Sequence, residues 1–317
     1  MSHRPLLALA GLALAPCAAR ASAPGDPVVA ARRSGPVVID GRVDEPAWAS
    51  APVHDGFFQQ FPKEGEPPSE RTEVRVLYDD HALYVGVIAL DSQPSEVSRP
   101  LGRRDRAPAS DAVGVFIDSD RGRRSAFFFE LNAAGVQTDG ILFEDDSSST
   151  EWDAVWDGNA AQIEGGWSAE FRIPFSALRF SRGQEIAFGF GVRRILTRTH
   201  ETLLSVVIPR SAHGSVARLG TLVGLNGIPP ARAFELAPYV ASRATLRPRA
   251  TNGVPPRPRD LDPVGQLGLD LRTSLGRALS LQATLNPDFG QVEADELVQN
   301  LTTFEVFFPE KRPFFTQ

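Results

Sequence analysis

Trp152 and Trp156 stand four residues apart, directly after the polar, acidic run Phe143-Glu144-Asp145-Asp146-Ser147-Ser148-Ser149-Thr150-Glu151. On an extended chain an even spacing places both indoles on one side. Flat rings stack on the C–H face of a pyranose, and neighbouring polar groups fix its orientation. The spacing predicts a two-Trp platform with Asp145 and Asp146 beside it. The alternative is one Trp in the core and a solvated acidic loop. His213, in Ser211-Ala212-His213-Gly214-Ser215, is a further ring that could join such a site. Trp48 and Trp167 read as packing residues.

Metal chemistry has one candidate. Asp118-x-Asp120-x-Gly122 has the oxygen spacing of the start of a calcium loop, which makes Asp118 and Asp120 calcium ligands to test. The later acidic ligands of such a loop are missing, and a polar hairpin turn is the alternative. His54, His81, His200 and His213 are scattered, with no zinc spacing among them. No Gly-x-Ser-x-Gly elbow and no phosphate-cradling glycine loop occurs. Carboxylates abound, but a glycosidase pair is defined by separation in space, so the sequence marks no catalytic residue. The basic stretch Arg99–Arg106 reads as a solvated loop.

These residues must be held by strands. Glu73–Tyr78 alternates with period two, Asp79-Asp80 turns the chain, and Leu83–Leu90 returns as a more buried strand. Val113–Ile117 and Ala126–Leu131 form a second hairpin. Further strands are read at Val136–Phe143, Ala154–Ile163, Trp167–Ile173, Ile186–Ile195, Leu203–Ile208 and Ala217–Leu225, with a helical turn at Pro174–Leu178. About ten strands with no βαβ alternation predict an all-β fold, an antiparallel β-sandwich over residues 30–228. The texture changes after Gly227-Ile228-Pro229-Pro230. Phe234–Ala241, Gly265–Arg272 and Ala278–Leu285 then alternate apolar with polar, around an Arg- and Pro-rich excursion at Arg247–Asp262. Such alternation suits a lipid-facing barrel strand and equally a half-exposed hairpin.

The first 21 residues have the layout of a secretory signal peptide: His3 and Arg4, the apolar run Leu6–Ala15, then small-x-small cleavage patterns. The lone cysteine, Cys17, falls within it, so the mature chain would have no thiol. Export to the periplasm or outer membrane of a Gram-negative-type cell is expected. The net charge of −6 argues against a nucleic-acid partner.

Ile39-Asp40-Gly41-Arg42-Val43-Asp44-Glu45-Pro46-Ala47-Trp48 resembles the opening of the family 9 carbohydrate-binding modules. So do the hairpin Val74–Leu90, the strand Asp111–Asp118, Gly165–Pro174 and the closing Arg218–Leu222. The whole chain is similar to a bacterial group that joins such a module to an outer-membrane-type β-barrel of unknown function. Leu131–Gly140, Trp152–Asp157, Asn286–Asp295 and Phe307–Phe315 carry that closer match. The resemblance implies a jelly-roll or immunoglobulin-like sandwich followed, over residues 229–317, by the first strands of an incomplete barrel. Glycan-binding members place a stacking Trp shortly before the strand matching Asp111–Asp118 and another before the closing strand. Here those neighbourhoods hold Pro108 and His213. The resemblance implies a glycan or glycan-like ligand, an outer-membrane attachment through the barrel, and glycan uptake or catabolism. A structural plug of the barrel, and part of a hydrolase of O-glycosyl bonds, are the alternatives.

Overall fold

The computed structural model describes residues 22–143, 146–178, 180, 185–228, 234–247, 260–274 and 280–286. The leader, Asp145 and the motif residues after Asn286 lie outside them. Thirteen strands make the sandwich: β1 (Val28–Arg32), β2 (Phe58–Phe61), β3 (Thr72–Tyr78), β4 (Ala82–Leu90), β5 (Ala112–Asp118), β6 (Ser125–Asn132), β7 (Gln137–Phe143), β8 (Ser148–Ser149), β9 (Asp157–Ile163), β10 (Gly166–Pro174), β11 (Glu185–Leu196), β12 (Glu201–Leu204) and β13 (Gly220–Asn226). One layer runs β8-β7-β6-β5-β11-β13, with β12 and then β2 attached at β11. The other runs β3-β4-β10-β9. Strand β1 joins them: Val28 and Val29 pair parallel with β13, and Ala30 to Arg32 pair parallel with β3. The protein is nearly all-β, a β-sandwich of curled sheets.

Period-two alternation builds the core. Val113, Val115 and Ile117 of β5 and, beside them in the same sheet, Phe188, Phe190 and Val192 of β11 share one buried cluster with Trp167, Ala169, Phe171 and Ile173 of β10. Each large side chain buried there contributes about 1.5–3 kcal/mol. Continuing the inward phase of β11 brings a charge, Arg194, into the interior at 0% exposure. Its guanidinium donates to the carbonyls of Arg71 (3.0 Å) and Leu90 (2.7 Å) and to the Thr72 hydroxyl (3.1 Å), stitching the two layers together.

The opening motif has a physical function. Trp48 lies against the outer face of β4 at Gly86, where any Cβ would sit 3.0 Å from its ring. Its indole N–H donates to Glu45 and to Glu170 of β10, each at 3.1 Å. The amides of Asp40 and Gly41 donate to the other oxygen of Glu170. Gly41 is obligatory: its φ is +91°, and a Cβ would lie 2.6 Å from the Ala160 backbone. The motif is therefore a strap across the second layer, fastened on one fully buried carboxylate.

Asp79 turns the first hairpin as expected, accepting from the amides of His81 and Ala82. Three assignments need correction. Residues 154–156 are irregular, because the Ala154 amide donates to Asp139 rather than to a neighbouring strand. Strand β12 ends at Leu204, where the Ser205 amide turns to Val192 and its carbonyl accepts from Gly25. Nor is the basic stretch merely solvated: Arg104 donates to Asp139 (2.6 Å), Asp153 (2.8 Å) and the Ala154 carbonyl (2.7 Å).

Beyond the sandwich, β14 (Phe234–Arg247), β15 (Asp260–Ser274) and β16 (Ser280–Leu285) form an antiparallel sheet. Residues 248–259 of the Arg- and Pro-rich excursion lie outside the described residues.

Candidate functional site

The outward face of β5, β6 and β11 carries a glycine pattern that opens space on the sheet. Register places Gly191 opposite Phe116, and Gly114 between Glu130 of β6 and Arg193 of β11. With no side chain at Gly114, Arg193 and Glu130 meet above it at 2.6 Å. A Cβ there would stand 3.3 Å from the Glu130 carboxylate.

Over this face lies a groove of about 320 Å³. Its floor is Phe116 and Gly191. Leu204, Val206, Ile208, Leu142 and Leu219 supply the rest of its apolar lining. Polar groups ring the mouth: Gln60, Asp146, Arg210 and Ser215, with Arg193 at its side. Two rings line it, Phe61 and Phe116, and an arginine lies over each. The guanidinium carbon of Arg210 is 5.0 Å from the Phe61 centroid, and that of Arg193 is 5.3 Å from the Phe116 centroid. Arg210 also pairs with Glu64 at 3.1 Å.

Asp146 holds the loop that bears His213. Its carboxylate accepts from the Gly214 and Ser215 amides (3.0 and 2.8 Å) and from the Ser215 hydroxyl. Those bonds hold its pKa below the usual carboxylate range, the Ser215 hydroxyl being the largest cause. The structure thus brings two sequence candidates together, Asp146 in the groove lining and the exposed His213 on the loop it holds.

The two-Trp platform does not form. Trp156 is 4% exposed and lies parallel to Phe171 at 5.8 Å, inside the core. Trp152 is half-buried on the same cluster, 4.6 Å from Phe127. The strand assumption behind the platform fails because residues 151–156 are irregular, and both indoles are drawn to Phe129. Phe127 and Phe129 point inward from β6, whereas Glu130 points to the groove, so the tryptophans belong to the opposite side of that strand. Trp48 and Trp167, read as packing residues, are 2% and 0% exposed.

The calcium candidates also read differently. Asp118 Oδ2 accepts from the Arg123 amide (3.0 Å) and Asp120 Oδ1 from the Gly122 amide (2.7 Å), so the pair caps its own turn. Burial, together with the neighbouring Asp120, raises the Asp118 pKa. Among the described residues no cluster of three or more His, Cys, Asp or Glu could hold a metal.

Sequence reasoning missed Phe61, Phe116, Glu130, Arg193 and Arg210. The signal for two of them was present: the outward phase of β11 reads Gly189, Gly191, Arg193, and that of β5 reads Gly114, Phe116. Small residues beside a charge on an outward phase mark an open floor.

A family model described as "Domain of unknown function (DUF5916)" matches residues 229–317. No curated protein matches the chain. Among solved structures, the chain is similar to a carbohydrate binding module family 9 from Caldicellulosiruptor kristjanssonii in complex with cellotriose. The identity is 16%, over 64% of this chain and 99% of that one, with a TM-score of 0.41. The module from the same organism in complex with glucose gives 16% identity over 62% and 94%, also at 0.41. A crystal structure from Bacteroides uniformis ATCC 8492 gives 13% identity over 62% and 97%, at 0.47. The model "Carbohydrate family 9 binding domain-like" matches residues 39–201, just over half of the sequence, and the chain belongs to that family.

Proposed function

We propose that the sandwich binds a glycan in the groove over β5 and β11. The observation that carries this reading is the convergence of the Arg193–Glu130 pair, Arg210, Gln60 and the Asp146–Ser215 rim on one apolar-floored groove. Planar guanidinium and carboxylate groups suit the paired hydroxyls of a sugar, and an apolar floor with few convergent polar groups is the usual form of a small-ligand site. The test is calorimetric titration of the full chain with cellotriose and glucose, plus gel retardation on a panel of polysaccharides. Arg193→Gln is expected to weaken binding roughly tenfold to a hundredfold, the value of one charge-assisted hydrogen bond. Arg32→Gln, which removes an exposed pair with Asp80, is expected to leave it unchanged. Absence of heat and of retardation on every sugar would sink the reading.

Residues 229–317 we read as the beginning of an outer-membrane barrel that holds the sandwich at the periplasmic face, for glycan uptake or degradation. The support is register. Leu236 pairs with Leu271, Pro238 with Leu269 and Val240 with Leu267, and Leu269 pairs onward with Leu285, all on one face. Leu236, Val240, Leu267 and Leu285 are 51–77% exposed. Strands β14 and β15 have 14 and 15 residues, longer than the roughly 9–11 that a tilted strand needs to cross a bilayer. In outer-membrane vesicles, Val240→Cys is expected to resist a membrane-impermeant maleimide and Tyr239→Cys, on the other face, to react. Equal labelling of the two would count against a lipid-facing surface.

A further inference from the structure

The groove is built poorly for a bare sugar and well for a sugar that carries an apolar tail. Stacking a pyranose requires an open aromatic face. Each ring in the groove already has a guanidinium over its face, Arg210 on Phe61 and Arg193 on Phe116. What remains apolar is aliphatic and branched. Leu204, Val206 and Ile208 are 5–8% exposed, and Leu142 and Leu219 are half-buried. The polar groups are segregated outward: Asp146 and Arg210 are exposed, and Gln60 and Ser215 are partly so. The charges are largely answered locally, Arg193 by Glu130, Arg210 by Glu64 and Asp146 by the Ser215 loop. At about 320 Å³ the groove is at the small end of the roughly 300–1,000 Å³ typical of small-molecule pockets.

From this segregation we infer that the ligand is an amphipathic glycoside, with an alkyl, acyl or similar aliphatic group in the groove and its sugar at the polar mouth. The inference rests on the glycan reading above and narrows its ligand class. Aliphatic walls gain most from flexible methylene chains, which conform to rounded side chains and release water from all sides. The mouth supplies the hydroxyl-binding groups, so chain and sugar are both recognised.

The experiment is a titration of the full chain with methyl, butyl, hexyl and octyl β-glucoside, all below their micellar concentrations, with octanol as the headless control. Affinity is expected to rise by about fourfold per added methylene until the groove is full, the factor for burying one such group. Octanol is expected to bind much more weakly than octyl glucoside. Leu142→Gln and Leu219→Gln, at half-buried positions, are expected to flatten the chain-length series, whereas Arg32→Gln, outside the groove, is expected to leave the whole series unchanged. If methyl and octyl glucoside bind equally, the inference fails and the glycan reading stands. If octanol binds as tightly as octyl glucoside, no sugar is recognised and both fail. Absence of binding by any member likewise overturns both.

Discussion

Replacing Arg194 with methionine is expected to destabilise the sandwich by about 3–5 kcal/mol, the range for breaking a buried charge network from one side. The side chain is fully buried, and a methionine of similar length would fill the space. Hydrophobic replacement of whole buried ion pairs is often tolerated, which argues for a neutral outcome. What decides against it here is what stays behind. The carbonyls of Arg71 and Leu90 and the Thr72 hydroxyl would lose their donor. Asp91, Asp111 and Glu201, at 2–5% exposure, would lose their shared cation, leaving Arg198 to offset Asp91. Burial pulls the Arg194 pKa down to about 10 against the pull of those acids, so the group is still charged at neutral pH. Urea unfolding by linear extrapolation measures the loss. Arg194→Lys keeps the charge but offers one ammonium to acceptors arranged for a fork, and is expected to fall between the two. A loss for the methionine variant below about 1 kcal/mol would show that the acids and carbonyls find other partners.

That arginine also marks the limit of what alternation reveals. The patterns of β3 to β6, β10 and β11 place the residues of the central cluster on the inner faces, and inner-face burial follows from period two. Strand β1 escapes the same logic, because Val28–Arg32 is short, lacks clean alternation and takes a parallel partner from each layer. The Phe58–Phe61 strand escapes because, among the described residues, only β12 pairs with it. Trp152 and Trp156 were conspicuous as residue types, yet large aromatic surface is also what a core takes most readily. Phe116, Glu130 and Arg193 become a site only through the register of three strands, with Gly114 as the gap that lets a charge pair form. Asp146 and Ser215 are 69 residues apart in the sequence, and no local spacing announces their contact. The fold was therefore legible from patterns along the chain, whereas the groove depends on which residues lie across from one another.

The strap motif leads to a pH dependence that Glu170→Gln should abolish. Glu170 is buried at 0% exposure, with Glu45 as a second carboxylate sharing the Trp48 indole. Desolvation is the largest cause that lifts its pKa from 4.5 to about 7, and Glu45 adds to it. The amides of Asp40 and Gly41 and the Trp48 N–H pull the other way. A carboxyl with a raised folded-state pKa binds its proton more tightly in the native chain than in the unfolded one. Its contribution to stability is therefore fully present below pH 4.5 and is lost as pH rises through about 7. The loss can reach about 3 kcal/mol, from 1.36 kcal/mol per unit. Glutamine keeps the shape: its carbonyl can accept from Asp40 and Gly41, and its amide can donate to Glu45. The difference in unfolding free energy between wild type and variant, measured at pH 4.5 and again at pH 8, should shift in favour of the variant by that amount. Other titrating groups cancel in the difference. Glu170→Ala is expected to be destabilised at both pH values, because it strands the Asp40 and Gly41 amides and removes one acceptor of the Trp48 N–H in a site where each unpaired donor costs about 1–3 kcal/mol. A wild-type-minus-glutamine difference that is flat across the window would mean that Glu170 is ionised in the folded chain throughout, with its three donors outweighing desolvation.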